Sequence, residues 1–123
     1  KTDVWNLAKW RNSVSISQNL MPPIPQNSID KEPSAELRPN QKDTDSLPDY
    51  KLLDQILRIY IEGDAGKSGA ISAGFDQQLV EKVLQMVDRA EYKRRQYPPG
   101  TKISARAFGK DRRLPITSHW KER

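Results

Sequence analysis

Prolines partition this chain before any periodicity is read. Six of the nine (Pro22, Pro23, Pro25, Pro33, Pro39 and Pro48) fall between residues 22 and 48. Each fixes φ, lacks an amide donor and biases the preceding residue away from the helical region, so no long helix or central strand can cross this interval. The helical signal therefore has to lie on either side. Residues 1–12 read as the end of an amphipathic helix, 13–47 as a polar loop, 48–95 as a helical region and 96–123 as an irregular basic tail. A loop of that length is uncommon inside a compact domain and is either a functional lid or disordered.

The fold class predicted from pattern is mainly α, with three main helices and no convincing strand. Val4, Leu7, Ala8 and Arg11 carry the first periodicity, already under way at the start of the chain without a cap. That reads as a cut chain rather than a natural beginning. A second helix is expected from about Pro48 to Glu62, with Ser46 and Asp49 at capping-box spacing and Pro48 in its first turn. Leu53, Ile56, Leu57 and Tyr60 form its apolar stripe, widened by Leu52 and Ile61. A short helix around Ser68–Ala73 should stop at Gly74. Asp76 should then cap a third helix running to about Arg95, with Leu79, Val80, Val83, Leu84 and Val87 on one face.

With 35% hydrophobic residues in 123, there is material for one modest domain with a small core. The chain has no cysteine, which excludes disulfides, Cys-ligated zinc and a thiol nucleophile, and suits a cytoplasmic protein. No apolar run predicts a membrane span or a signal peptide. Net charge is +5 but unevenly spread: Arg89–Arg123 holds eleven Lys/Arg against three Asp/Glu, or +8, leaving −3 for the rest. Such a tail fits nucleic acid, a nucleotide, or an acidic face of its own protein.

Several motifs have bland readings. Gly63-Asp64-Ala65-Gly66-Lys67-Ser68 imitates a phosphate loop, but Ile61 stands where the pattern needs glycine, and a helix rather than a strand precedes it. The helix–short helix–helix order over 48–95 with a basic tail imitates a helix-turn-helix DNA reader, the alternative function from another class. Its would-be recognition helix begins Asp76-Gln77-Gln78 and carries Glu81, which repel phosphate. His119, the only histidine, is read as a surface residue. Two features are harder to dismiss. Carboxylates and hydroxyls from Ser34-Ala35-Glu36 to Asp43-Thr44-Asp45 can hold Mg²⁺, which takes oxygen ligands and bridges to phosphates. The triplet Lys93-Arg94-Arg95 sits where a helix should end, before Pro98-Pro99, and suits either the helix dipole or an anion.

Lys1-Thr2, Lys31-Glu32-Pro33-Ser34-Ala35-Glu36-Leu37, Gln41-Lys42-Asp43-Thr44-Asp45-Ser46-Leu47-Pro48-Asp49-Tyr50, Glu91-Tyr92-Lys93-Arg94-Arg95-Gln96 and the stretch Ser104–Thr117 together resemble, in order, the C-terminal part of the glutamine-dependent NAD⁺ synthetases. The resemblance implies an α/β adenine-nucleotide-hydrolase-like (HUP) synthetase domain of which this chain would be the C-terminal portion. Its activity would be ATP- and Mg²⁺-dependent adenylation of deamido-NAD, then amidation by glutamine-derived ammonia to give NAD⁺, AMP and pyrophosphate. It implies a homodimer or higher homo-oligomer, with the rest of the synthetase polypeptide as the first partner. By residue, it implies ATP contacts at Lys1 and Ser34, a deamido-NAD contact at Lys93, and a mobile lid over 35–48 with Glu36, Asp43 and Asp45 as candidate Mg²⁺ contacts. Tyr92 departs from the histidine of some members. The family's Ser-Gly-Gly-x-Asp-Ser loop is not among these 123 residues, and the glutaminase cysteine has no counterpart. The chain alone is therefore expected to be inactive, supplying a lid and substrate contacts.

Overall fold

Helix α1 spans Thr2–Ser17, five residues beyond the Asn12 at which the sequence pattern fades. The extension contains Ser13, Val14, Ser15, Ile16 and Ser17, which are poor helix formers. Their hydroxyls help: Ser13 and Ser17 donate back to the Trp10 and Val14 carbonyls at 2.7 and 2.8 Å, and Arg11 Nη1 donates to Ser15 Oγ at 2.6 Å. The stop is a Schellman motif. Asn19 takes a left-handed φ of 56°, its N–H bonds Ile16 O, and the Leu20 N–H bonds Ser15 O at 2.9 Å. The chain then returns along the helix, held by Asn12, whose side chain donates to Ile24 O (2.8 Å) and accepts from Ile24 N–H (3.0 Å). A short helix α2, Gln26–Asp30, packs Ile29 against α1. The interval expected to be loop from residue 13 thus holds the end of one helix and all of another.

The computed structural model describes residues 1–34, 39–107, 111–115, 117 and 118. It divides into two compact units, Lys1–Asp54 and Gln55–Arg123, where composition suggested one modest domain. Among the described residues there is no strand, and no helix is long and apolar enough to cross a membrane.

In the first unit, residues just ahead of the lid segment are drawn onto residues within it, forming a neck. Pro33 O accepts from Asp43 N–H at 3.1 Å, Glu32 pairs with Lys42 at 2.7 Å, and Thr44 Oγ1 donates to Glu32 at 3.0 Å. A 3₁₀ turn, Asp43–Asp45, follows, and helix α3 starts at Tyr50. Asp49 caps α3, accepting from Lys51 N–H at 2.8 Å. Ser46, expected to open the capping box, instead turns its hydroxyl toward Asp43 O. Pro48 accordingly precedes the helix rather than standing in its first turn.

The N-terminal amides of α1, uncapped by any neighbour in sequence, are capped from α3. Asp54 Oδ2 accepts Thr2 N–H at 2.7 Å and Thr2 Oγ1 at 2.6 Å. Burial disfavours the charge, but the bonds from Thr2's hydroxyl and amide oppose it, and the Asp54 carboxyl lies below its ordinary 3.8. A depressed carboxylate stabilises the fold above the unfolded value, and that contribution disappears as pH falls through the lower folded value. Asp54→Asn should cost about 1–2 kcal/mol at neutral pH, the size of a lost cap plus its dipole interaction. In thermal melts, the gap between variant and parent should close as pH drops below 3.8. A gap that is constant or widens on acidification would contradict the cap.

The second unit is built on the predicted apolar stripes. α3 (Tyr50–Leu57) continues into a π-helical turn, Arg58–Glu62, closed by Gly63 N–H to Arg58 O at 2.9 Å. A Cβ at Gly63 would lie 2.9 Å from Ile59 O, so this exit needs glycine. Helix α4, Gly66–Ser72, ends before Gly74 at φ 93°. Helix α5, Gln77–Arg89, is capped by Asp76 as its spacing predicts, with Leu79 N–H at 2.9 Å. Ile56, Tyr60, Ala70, Val80, Val83 and Leu84 form the core, none more than 4% exposed.

The third long helix does not reach Arg95 unbroken. Ala90 ends α5, its N–H shared between Met86 O and Val87 O, and a single-turn helix α6 follows over Glu91–Arg94. No Gly or Pro causes this break. Glu91 is buried beside Arg94 and engages the tail, which sets the direction of α6.

Candidate functional site

Lys1 and the carboxylates of the lid segment meet through two aromatic rings in the first unit. The Lys1 ammonium stands 6.0 Å from the centre of the Trp5 ring, at the outer reach of a cation–π contact. Trp5 meets Tyr50 edge to face with ring centres 5.9 Å apart, and the Tyr50 hydroxyl donates to Asp43 Oδ2. That bond to Asp43, with burial and the charges of Asp43 and Asp54, pushes the Tyr50 phenol up to about 12, so it remains a donor at any physiological pH. Trp5 and Tyr50 thus bracket the segment's return against the start of α1. Sequence reading took Trp5 for a packing residue and met Tyr50 only as the end of the Gln41–Tyr50 motif, with no role assigned to it.

Ser34 is half-buried on the first arm of the neck and adjoins Pro33, whose carbonyl receives Asp43 N–H. The neck is electrostatic. The hydrogen bond to Lys42, then that from Thr44, holds Glu32 below the usual carboxylate range, and Glu32 raises Lys42 in turn. Ser34 and Asp43 therefore sit on neighbouring arms, and Lys1 joins them by way of Trp5 and Tyr50.

The candidate Mg²⁺ contacts are not gathered in this way. Asp43 receives the Tyr50 hydroxyl, and Asp45 Oδ2 receives Lys42 N–H at 2.9 Å, both serving the local turn. Glu36 lies outside the described residues. Among the described residues no three His, Cys, Asp or Glu side chains converge on a point where a metal could sit. The donors described here do not make a metal site by themselves.

In the second unit the cationic triplet is divided in its roles. Arg94 donates to Glu91 Oε2 at 2.6 Å and to the Arg112 carbonyl, and Arg95 donates to Leu114 O at 3.0 Å. Glu91 Oε1 accepts Leu114 N–H at 3.3 Å. Two of the three cations thus hold the tail. Lys93 is exposed and engages no side-chain partner among the described residues, leaving its ammonium available to a ligand. The Glu91/Arg94 spacing was a visible i,i+3 signal. The carbonyl partners of Arg94 and Arg95, 18 and 19 residues further on, were not.

Behind α6, Arg112 lies against Tyr60, its guanidinium carbon 4.4 Å from the ring centre, and pairs with Asp88 at 3.3 Å. Tyr60 donates to the same Asp88 oxygen at 2.9 Å. Both charged side chains are nearly buried, at 11% and 8% exposure. A cleft of 940 Å³ opens along this tail, lined by Arg94, Arg95, Tyr97, Lys102 and Arg113 among others. Lys102 pairs with Asp111 at 2.9 Å, and Asp111 is held below its ordinary value first by the Ala107 N–H and then by Lys102. The basic tail therefore spends much of its charge within its own unit.

The phosphate-loop imitation at 63–68 is a turn between helices, with Lys67 paired to Glu81 at 3.2 Å. Glu81 is held low first by Gln77 and then by Lys67. His119 lies outside the described residues.

Comparison with known proteins places these features in a family context. The pattern of the family described as NAD synthase matches residues 1–97. The chain is 54% identical over 121 residues to the glutamine-dependent NAD(+) synthetase of Acinetobacter baylyi, covering 98% of this chain and 22% of that protein. The corresponding protein of Aquifex aeolicus is 49% identical, covering 96% of this chain and 20% of its own length. A solved structure of the glutamine-dependent NAD⁺ synthetase from Acinetobacter baumannii, in complex with ADP, superposes over all of this chain and 20% of that one, at a TM-score of 0.60 and 44% identity. The chain spans about a fifth of the length of these relatives.

Proposed function

The chain belongs to the NAD synthase family, and on that premise we propose that it is the C-terminal portion of a glutamine-dependent NAD⁺ synthetase, contributing an ATP-site lid and a dinucleotide contact. The observation that carries this reading is relatedness over nearly the whole chain, at 44–54% identity, to proteins of that one activity. In the proposed reaction, a nicotinate carboxylate oxygen of deamido-NAD attacks the α-phosphorus of ATP and pyrophosphate leaves. Ammonia released from glutamine then attacks the acyl carbon, and AMP leaves.

In this reading Lys1 reaches phosphate oxygens of ATP through charge-assisted bonds, and the Ser34 hydroxyl adds a donor from the lid arm. The Glu32–Lys42 and Thr44–Glu32 bonds tie the chain ahead of the lid to residues within it, and a lid that closes over the ATP site would exclude water. Mg²⁺ would travel with the nucleotide phosphates, with Glu36, Asp43 and Asp45 as the lid's candidate contacts to it. Lys93 meets the deamido-NAD side. The parallel sheet of an α/β HUP domain, the pyrophosphate loop and the glutaminase would come from the rest of the synthetase polypeptide, in a homodimer or larger homo-oligomer. The nucleic-acid alternative draws no support from these relatives, and the acidic start of α5, with Glu81 tied to Lys67, gives DNA phosphate little to approach.

A chimera tests this. In the Acinetobacter baylyi synthetase, this chain replaces the segment it matches, and ATP-, glutamine- and ammonia-dependent NAD⁺ formation is measured. The chimera should be active and the 123-residue chain alone inactive. A folded, soluble chimera without activity would defeat the reading, as would NAD⁺ formation by the isolated chain.

A further inference from the structure

Helix α6 has only the four residues Glu91–Arg94, one turn, and a single turn does not hold its own geometry in water. Its direction is imposed from outside. At roughly 100° per residue, Glu91, Arg94 and Arg95 fall within about a third of the helix circumference, and Lys93 lies on the opposite side. The first three all bond residues 112–114: Arg94 to Arg112 O, Arg95 to Leu114 O at 3.0 Å, and Glu91 to Leu114 N–H at 3.3 Å. One face of the turn is thus clamped to the tail, and Lys93 is exposed on the other.

What clamps the tail is Arg112. Its guanidinium lies over Tyr60 at 4.4 Å and pairs with Asp88 at 3.3 Å, while its own carbonyl receives Arg94. One residue therefore ties together the π turn through Tyr60, helix α5 through Asp88 and helix α6 through its main chain. The Tyr60 hydroxyl braces the same Asp88 oxygen at 2.9 Å. A lysine could supply the charge to Asp88 but not the planar face that stacks on Tyr60.

We propose that Arg112 is a positioning residue: it locks the tail against α5 and the π turn, and so fixes the orientation in which Lys93 is presented to the dinucleotide substrate. This rests on the reading of Lys93 given above. Without Arg112 the 112–114 segment is released, α6 loses its frame, and Lys93 must be ordered at the moment of binding, which lowers affinity without altering the chemistry.

The test is a set of variants in the synthetase chimera. Arg112→Ala should raise KM for deamido-NAD about tenfold, with kcat and KM for ATP changed far less. Arg112→Lys should fall between Arg112→Ala and the parent. In a Lys93→Ala background, Arg112→Ala should add little, because the group it positions is gone. Hydrogen exchange at the Leu114 amide should quicken in Arg112→Ala. If Arg112→Ala fails to fold, Arg112→Lys and Tyr60→Phe carry the test, each expected to shift KM in the same direction by a smaller factor.

A KM for deamido-NAD equal to the parent's in every Arg112 and Tyr60 variant overturns the proposal while leaving the substrate reading of Lys93 intact. Effects of Arg112→Ala and Lys93→Ala that multiply would overturn it too, since Arg112 would then act independently of Lys93. If Lys93→Ala itself leaves KM unchanged, the substrate reading fails and this proposal falls with it, a different outcome from the first two.

Discussion

Lys93→Ala, in a full-length synthetase carrying this segment, should lower kcat/KM for deamido-NAD by about 10- to 100-fold, with KM for ATP near the parent's. A hydrogen bond involving a charged group contributes about 1.5–3 kcal/mol, and each 1.4 kcal/mol is a factor of ten. Lys93 is suited to such a bond because it spends none of its charge on side chains among the described residues. Its neighbours Arg94 and Arg95 are committed to the Arg112 and Leu114 carbonyls. Lys93→Arg keeps the charge but changes its shape, and should recover only part of the loss. Alanine variants at Arg94 and Arg95 should act differently, loosening the tail before they affect binding. If steady-state kinetics show Lys93→Ala indistinguishable from the parent, the site assignment is wrong.

Ile56→Ala should destabilise the second unit by about 2–5 kcal/mol. Ile56 is 0% exposed and shares a core with Tyr60, Ala70, Val80, Val83 and Leu84. So small a core has few neighbours to relax into the space left by three missing carbons, and the cavity term adds to the lost transfer free energy. For a unit of this size each kcal/mol moves the melting temperature by about 4–8 °C, so a drop of 10 °C or more is expected in a circular-dichroism melt. Ile56→Val, which removes one methyl, should cost only about 0.5–1.5 kcal/mol. A loss below 1 kcal/mol for the alanine variant would mean that the core is not packed as described.

The elements read correctly from sequence are those whose causes are local. The stripe Leu53, Ile56 and Tyr60, and the stripe Val80, Val83 and Leu84, announce their buried faces by spacing alone. Asp76 announces a cap because the N–H it bonds is three residues away. Ser46 failed as a cap for a related reason: Asp49 competes for the same role, and nothing local ranks the two. The end of α1 was missed because its apolar pattern stops before its hydrogen bonds do. Asn19 in a left-handed turn ahead of Pro22 was the available sign.

For the site, the order of motifs along the chain offered Lys1, Ser34 and Lys93 as candidates, but not what stands behind them. Trp5 and Asp88 carry no motif, Tyr50 and Arg112 stand in matching stretches that assign them no role, and Trp5–Tyr50 and Asp88–Arg112 pair across tens of residues.

By itself, then, the sequence determined the main helices α1, α3 and α5 in outline, the faces that α3 and α5 bury, and the family to which the chain is related. These follow from the backbone's helical period and from bonds that span three or four residues. The tertiary structure alone decided that Asp54 caps a helix beginning more than fifty residues earlier, that α5 breaks at Ala90 without a breaker residue, and that Arg94 and Arg95 hold the tail while Lys93 stays exposed. Each of these pairs a polar group with a partner that only the folded chain brings within about 3 Å. Most buried donors and acceptors take the partner the fold supplies, because leaving one unpaired is costly.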